Sequence, residues 1–234
     1  MYLAVAHGQL ESIKILESHG VSLNFPVEKN LVMKALDNNH PEVFYYLKNR
    51  GLDILVKDKE NKTTLMKAAK NNLFEIVDLL LKSGANPTLK SNRGFCAFQF
   101  AVHKKHKETI KVFLQHNVSI NKLTDEETLD VFQLLEEEKE FFGQDLVRKT
   151  REESFVKTVN KKKNLSVKFL LDTGINIHLL NEHTALNAAI IGDNFEAIDW
   201  LLERNVDVNL KDEKQATALS WAVSRGLEEI VKKL

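Results

Sequence analysis

The chain has 234 residues, of which 43% are hydrophobic, so it is long enough to bury a sizeable core. Lysine and arginine together number 33, as do aspartate and glutamate, and this balance excludes a partner selected by net charge alone. The single cysteine, Cys96, excludes a disulfide framework and a multi-cysteine metal site, and no run of 18 apolar residues predicts a membrane span.

One unit is repeated seven times along the chain. The copies are aligned on a small residue that recurs at intervals of 31, 33, 33, 57, 31 and 33 residues. A leucine or phenylalanine stands twelve residues after each of these anchors. A unit this short cannot bury its own apolar face, so neighbouring copies must stack into a solenoid. The anchors are Ala4, Ala35, Ala68, Ala101, Thr158, Ala189 and Ala222.

Each copy contains two helical patterns joined by a short polar turn. The small anchor lies in the first helix and lets a partner helix approach closely. The second helix begins with an acidic residue, as in Glu75, and continues with apolar residues at helical spacing. Gly84 and its counterparts fit a left-handed helix C-cap, and Asn117 and Asn205 are the natural substitutes there.

The unit resembles the ankyrin repeat. Thr63 to Ala69, Thr217 to Ala222 and Thr184 to Leu186 match the opening of that repeat, and Leu80 to Asn86 matches its close. The resemblance implies an all-α, ankyrin-type helix-turn-helix solenoid with short β-hairpin loops and one helical insertion. It also implies protein binding. Several copies depart from the pattern, because the Thr position holds Asn30, Cys96 or Glu153 and the usual histidine after Leu is absent from every copy.

The spacing predicts three segments. Residues 1–122 hold copies one to four, of which the first lacks its hairpin, residues 123–150 form an acidic helical insertion, and residues 151–234 hold copies five to seven, of which the last is truncated. Apolar residues such as Leu3 and Leu234 stand near the two ends, where a solenoid needs polar capping units. We therefore expect the chain to be a fragment of a larger protein.

The insertion has two interpretations. Phe132, Leu135 and Phe142 stand at helical spacing, and Gly143 predicts a break between two helices. Residues 125–145 hold nine acidic residues against the single Lys139. The insertion is either an additional helix pair with a solvated acidic face or a recognition element that projects from the solenoid.

Residues with catalytic or metal-binding chemistry do not form a recognisable constellation in the sequence. Glu136 and Glu140 lack a companion His or Cys cluster, and His103 with His106 supplies fewer ligands than a metal requires. Cys96 holds the position of a helix-capping threonine. We therefore predict no catalytic residue, no cofactor and no metal in this chain.

The resemblance also implies a partner-binding surface. In ankyrin repeats the concave face combines the hairpin tips with the exposed end of the first helix. Carried over to this sequence, that face is mostly basic and includes one exposed aromatic ring, Phe95, so we expect a field that attracts an acidic partner. The predicted partner-binding residues are Lys59, Lys62, Lys70, Asn71, Arg93, Phe95, His103, Lys104 and Lys161.

We predict a non-enzymatic, monomeric scaffold that binds a protein with an acidic surface. A first alternative is a regulatory or targeting segment of a larger enzyme whose catalytic domain lies outside this chain. A second is binding of anionic lipid or nucleic acid by the basic face, which the zero net charge and the missing nucleic-acid motifs disfavour. The predicted location is cytoplasmic. The abundant Lys and Asn and the irregular copies resemble ankyrin-repeat effectors of intracellular bacteria, for which the location would be the host cytosol.

Overall fold

In a computed structural model, which describes residues 1–24, 30–179 and 182–234, the chain is helical and forms two compact units. Unit 1 comprises Met1–Val118 and unit 2 comprises Ser119–Leu234. The predicted all-α, ankyrin-type fold is confirmed.

Unit 1 consists of four helix pairs. The first helices of successive pairs pack against one another, and so do the second helices of the last two pairs. Its helices are α1 (Tyr2–Ala6), α2 (Leu10–Ser18), α3 (Leu31–Asp37), α4 (Pro41–Asn49), α5 (Thr64–Lys70), α6 (Phe74–Lys82), α7 (Ala97–His103) and α8 (Lys107–Gln115).

Unit 2 begins with a short 3-10 helix and the helices of the insertion, and continues with further helix pairs. Its elements are the 3-10 helix (Ile120–Lys122), α9 (Asp125–Glu137), α10 (Lys139–Phe142), α11 (Gln144–Asn160), α12 (Asn164–Asp172), α13 (Ala185–Ile191), α14 (Phe195–Glu203), α15 (Ala218–Ser224) and α16 (Glu228–Lys233).

The anchor residues lie at the contacts between neighbouring first helices. Ala68 and Ala101 in unit 1, and Thr158 and Ala189 in unit 2, are completely buried. The helices that carry them pack as α5 against α7 and α11 against α13. A larger side chain at these positions would overpack the contact, which explains why the sequence keeps them small.

The helix ends follow the predicted chemistry. Thr63 caps α5, because its hydroxyl accepts a hydrogen bond from the Met66 N–H at 3.2 Å. After the second helices, Gly84 has φ +87°, and Asn117 and Asn205 have φ +55° and +54°. The left-handed cap position predicted for glycine, with asparagine as its substitute, is therefore confirmed.

The insertion contributes to the core of unit 2. Phe132 and Leu135 of α9 are completely buried, Phe142 of α10 is 3% exposed, and α9 packs against α12. Gly143, with φ +87°, separates α10 from α11 as predicted. The sequence predicts that the insertion ends at residue 150 and the fifth copy begins at residue 151. α11 continues across this boundary without a break. These contacts favour the interpretation of the insertion as added helices over that of a projecting element.

The described loops between the copies contain little regular β structure. Lys57 and Thr63 form an antiparallel bridge at the base of the hairpin before α5. The hairpins expected around residues 25–29 and 180–181 lie partly outside the described residues.

A candidate partner-binding surface

The hairpin of the third copy is held by its own aspartate. One carboxylate oxygen of Asp58 accepts hydrogen bonds from the backbone N–H groups of Glu60 and Lys62, each at 2.9 Å. The Asp58 N–H also donates to the carbonyl oxygen of Lys62 at 3.0 Å. These bonds fix the backbone of the tip and leave the side chain of Lys59 exposed to solvent.

A buried lysine that sequence reasoning missed ties this hairpin to the preceding copy. The Lys67 ammonium lies 2.5 Å from a carboxylate oxygen of Asp37 and 3.2 Å from one of Asp58. Burial alone would raise the pKa of the Asp58 carboxyl, but hydrogen bonds from Lys62 and Lys67 outweigh burial and hold it below its ordinary value. The only sequence signal was a lysine beside the alanine anchor, one residue before Ala68.

The hairpin tips of the third and fourth copies are bonded to each other. The Asn61 side-chain amide donates to the Asn92 side-chain oxygen at 2.7 Å, and the Asn92 N–H donates to the Glu60 carbonyl oxygen at 2.9 Å. Arg93 follows Asn92 directly and is exposed. The structure therefore places Lys59 and Arg93 on two adjoining tips whose relative position is fixed.

An acidic side chain lies among the basic residues of these tips. Lys62 and Glu60 form an ion pair with a nitrogen-to-oxygen distance of 2.7 Å. The pKa of the Glu60 carboxyl lies below its ordinary value, mainly because of the hydrogen bond from Lys62, with a further contribution from the charge of Arg93. Lys62 is thus half-buried and paired, whereas Lys59 and Arg93 present exposed charges.

Phe95 belongs to a small aromatic cluster. Its ring centroid lies 5.9 Å from that of Phe100 and 5.4 Å from that of His103, the latter in an edge-to-face arrangement. These contacts leave Phe95 half-buried, so the expectation of an exposed ring needs correction. Phe95 is thus partly accessible to solvent and contacts His103, which is exposed.

The ends of the first helices α5 and α7 carry the remaining predicted residues of unit 1. Lys70 ends α5 and Lys104 follows α7, and both side chains are exposed. Asn71 is half-buried, because its amide donates to the Leu36 carbonyl oxygen at 2.5 Å. Asn71 therefore holds α5 against α3 and has less freedom to contact a partner than Lys70.

Lys161 lies in unit 2, whereas the other predicted residues belong to unit 1. Its ammonium donates to the Asn121 carbonyl oxygen at 2.9 Å. The neighbouring Lys163 is buried and donates to the Thr128 hydroxyl at 2.8 Å. Burial, reinforced by the charge of Lys161, lowers the pKa of Lys163 to about 8. Sequence reasoning did not predict this buried amine, because a lysine in a run of three reads as solvated.

Unit 2 also contains a buried aspartate in the hairpin position of Asp58. Asp212 accepts hydrogen bonds from the His183 ring nitrogen at 3.0 Å and from the Trp221 indole N–H at 2.8 Å. Burial would raise the pKa of the Asp212 carboxyl, but these bonds and backbone N–H groups hold it well below its ordinary value. This network fixes a hairpin to α15 and presents no nucleophile.

Among residues 1–24, 30–179 and 182–234, no group of three His, Cys, Asp or Glu side chains is placed to hold a metal ion. His106 donates to the Lys70 carbonyl oxygen at 3.0 Å, which is a structural role. No helix in these ranges combines the length and the apolar character that crossing a bilayer requires.

Stacked helix pairs with small residues at the helix contacts and left-handed caps define a helical repeat protein. Three matches to the family model of ankyrin repeats cover residues 1–91, 32–124 and 156–234. The chain belongs to the ankyrin-repeat family. Ankyrin repeats are in general modules of protein–protein interaction.

Individual relatives share parts of the chain. An ankyrin repeat protein of fowlpox virus, FPV031, is 32% identical over 95 residues, which cover 39% of this chain and 28% of that protein. An ankyrin repeat protein of Rickettsia felis is 25% identical over 179 residues, covering 75% of this chain and 41% of that protein. The crystal structure of the human ASB11 ankyrin repeat domain matches the structure of this chain with a TM-score of 0.48 and a sequence identity of 20%. The match covers 99% of this chain and 95% of that domain. The chain thus spans less than half the length of these two sequence relatives.

Proposed function

We propose that unit 1 binds an acidic segment of a protein partner through a surface centred on the third and fourth copies. This basic surface comprises the exposed cations Lys59, Lys70, Arg93 and Lys104, the paired Lys62, and the rings of Phe95 and His103. The observation that carries the proposal is the bond between Asn61 and Asn92, which fixes two hairpin tips that bear exposed cations.

The rigidity of the tips matters for affinity. Binding to tips with a fixed backbone costs less conformational entropy than binding to loops that must first be ordered. Exposed charge pairs each contribute little, about 0–1 kcal/mol, and therefore act mainly on the association rate. The apolar edge of Phe95 supplies area that becomes buried in a complex, and a buried aromatic anchor contributes about 2 kcal/mol or more.

The ion pair of Lys62 with Glu60 makes Lys62 unsuitable for a charge-reversal test of the basic surface. Because Lys62 already has a partner, its reversal would also leave Glu60 unpaired and disturb the hairpin. Lys59, Lys70 and Arg93 are exposed and allow a cleaner test of charge.

The test compares two triple variants of the full chain as baits for capture of partners. One variant carries Lys59→Glu, Lys70→Glu and Arg93→Glu. The control carries Lys122→Glu, Lys157→Glu and Lys168→Glu, which make the same change in net charge at exposed lysines of unit 2. We expect a captured protein to be lost with the first variant and kept with the control.

Two results would count against the proposal. Equal capture by the parent chain and the first variant would remove the basic surface from the interface. Capture of nucleic acid or of vesicles with anionic lipid, in place of a protein, would favour the alternative of polyanion binding, which depends steeply on salt.

A further inference from the structure

The insertion creates a cavity in unit 2 that a regular repeat would not have. The first helices α5, α7, α13 and α15 are seven residues long, whereas α11 has 17 residues. α11 begins at Gln144, ahead of Glu153, which holds the helix-capping position of the repeat pattern. Its additional turns therefore stand where other copies have a hairpin loop.

The cavity lies between the additional turns of α11, the start of α10 and the turn that follows α12. It has a volume of about 550 Å³ and is open to solvent on one side. Cavities of roughly 300–1,000 Å³ are the size that holds small organic ligands. We call it the α11 cavity. The residues that determine its chemistry are Lys139, Val147, Arg148, Arg151, Ile175 and Asn176.

Arg151 forms a fixed cationic wall of this cavity. One guanidinium nitrogen donates to Glu136 at 2.9 Å, and another donates to the Thr173 hydroxyl at 2.7 Å and to its carbonyl oxygen at 3.1 Å. The side chain is only 11% exposed. Glu136 also pairs with Lys139, so two cations share this one carboxylate. The wall is therefore preorganised.

Arg148 is the most exposed of the cations that line the cavity and has only long contacts to carboxylates. It lies one helical turn before Arg151, and its side chain is 66% exposed. Its nearest carboxylates are Glu152 at 3.4 Å and Asp145 at 3.7 Å, both longer than a strong charged hydrogen bond. Because the Asp145 side chain is fully exposed, water screens its charge. Three cations and two carboxylates line the cavity, and a third carboxylate, Glu136, pairs with two of these cations.

The lining also includes apolar groups. Val147 is buried and precedes Arg148 in α11, and Ile175 lies in the turn after α12. An arginine available for a two-point hydrogen bond beside two aliphatic side chains suits a ligand with a carboxylate and a short branched aliphatic body.

We propose that the α11 cavity binds an aliphatic carboxylate, with Arg148 as its principal hydrogen-bond donor. Such a group occurs in two sources, a free branched-chain acid and the carboxyl terminus of a peptide that ends in leucine. This site lies in unit 2 and does not depend on the basic surface of unit 1.

The experiment follows the arginine side-chain N–H signals of the full chain by ¹H–¹⁵N NMR. The probes are 4-methylvalerate, its neutral amide 4-methylvaleramide, inorganic phosphate and N-acetylleucine, each titrated at constant ionic strength. We expect a saturable shift of the Arg148 signal with 4-methylvalerate and none with the amide. Tighter binding of N-acetylleucine would identify the peptide terminus as the source, and tighter binding of 4-methylvalerate the free acid.

Two variants sharpen the assignment. Arg148→Gln should weaken binding at least about tenfold, the usual consequence of losing a charged hydrogen bond. Arg225→Gln removes another arginine of unit 2, which pairs with Asp193, and should leave binding unchanged. Arg148 is largely exposed, so its replacement should not affect folding, and circular dichroism checks this.

Three results would overturn the proposal. The first is a shift that fails to saturate, or that is equal for all arginines, since either indicates general screening. The second is binding of phosphate as tight as that of 4-methylvalerate, because the aliphatic lining would then contribute nothing. The third is unchanged affinity in Arg148→Gln.

Discussion

The carboxylate of Asp125 accepts a hydrogen bond from the hydroxyl of Ser166 at 2.6 Å. Its two oxygens also accept hydrogen bonds from the backbone N–H groups of Leu165 at 2.9 Å and of Ser166 at 3.1 Å. The first residue of α9 thus caps the N-terminus of α12, whose own capping position is held by Lys163 without a side-chain hydrogen bond. The insertion therefore completes a helix of the fifth copy.

Removal of this cap should destabilise unit 2. Asp125→Ala leaves two N–H groups of α12 without a protein acceptor and should lower the free energy of unfolding by about 1–2 kcal/mol. Asp125→Asn keeps an acceptor oxygen and should cost less. Urea unfolding measures both, with Asp130→Ala, an exposed change on the same helix, as the control. Equal free energies of unfolding for Asp125→Ala and the parent chain would show that the cap does not contribute to stability.

Deletion of the insertion is a stronger test of the same relationship. Removing residues 125–148 restores a 33-residue interval between Ala101 and Thr158, but also removes the buried Phe132, Leu135 and Phe142. We expect the deletion variant to lose the cooperative unfolding of unit 2, because loss of one buried phenylalanine alone costs about 3–5 kcal/mol. A folded, cooperative variant with the helical content of its remaining residues would instead support a projecting insertion.

The buried amine of Lys163 makes stability depend on pH. Its pKa is about 8 in the folded chain and 10.5 in the unfolded chain, so the unfolded chain binds more protons between these values. Stability should therefore rise as pH increases from 8 to 10.5, and the charged amine should cost about 1–3 kcal/mol at pH 7.

Lys163→Met should consequently stabilise the chain at pH 7. Both groups that accept hydrogen bonds from Lys163 would retain another partner. The Thr128 hydroxyl would keep its hydrogen bond to the Thr124 carbonyl oxygen, and the Asn121 carbonyl oxygen would keep the hydrogen bond from Lys161. The difference between variant and parent should shrink as pH rises from 7 to 10, and urea unfolding at several pH values measures it. Lys168→Met on the exposed face of α12 is the matched control. A destabilised Lys163→Met variant at pH 7 would show that the amine contributes more through its hydrogen bonds than its burial costs.

The left-handed cap after α6 separates backbone strain from packing. A Cβ added to Gly84 would meet no atom within 4 Å, so any cost of substitution comes from φ +87° alone. Gly84→Val should lower stability by about 1–2 kcal/mol, whereas Gly84→Asn should be mild, since Asn117 and Asn205 occupy the same position in other copies. Thermal unfolding compares the two variants, and an equal midpoint for both would mean that the cap conformation is not strained.

The repeat itself was predictable from sequence because it depends on local chemistry. Gly84 or Asn117 at a helix end acts within one unit, and the small anchor at a helix contact requires no particular partner, so both recur in several copies. Lys67 and Asp125 were not predictable, because their partners lie 30 and 41 residues away in sequence, Asp37 and Ser166 respectively. The repeat period indicates which copies are neighbours, but not which polar side chains form hydrogen bonds or ion pairs with the neighbouring copy.

The candidate surface was predictable only as a set of positions. The structure brings Lys59 and Arg93 onto bonded hairpin tips, half-buries Phe95 and commits Asn71 to a backbone carbonyl. These differences depend on ring packing and on hydrogen bonds between neighbouring copies, for which charge and spacing carry no signal. Their binding roles remain predictions.

The most direct test of the central claim measures association of a captured partner with the chain by surface plasmon resonance at low and physiological ionic strength. For the variant with Lys59, Lys70 and Arg93 reversed to Glu, we predict at least about tenfold slower association at low salt and a flatter salt dependence. Phe95→Ala should mainly accelerate dissociation. The control variant with Lys122, Lys157 and Lys168 reversed to Glu should bind as the parent chain does. Unchanged association of the first variant, with its fold intact, would contradict the assignment of the basic surface as the binding site.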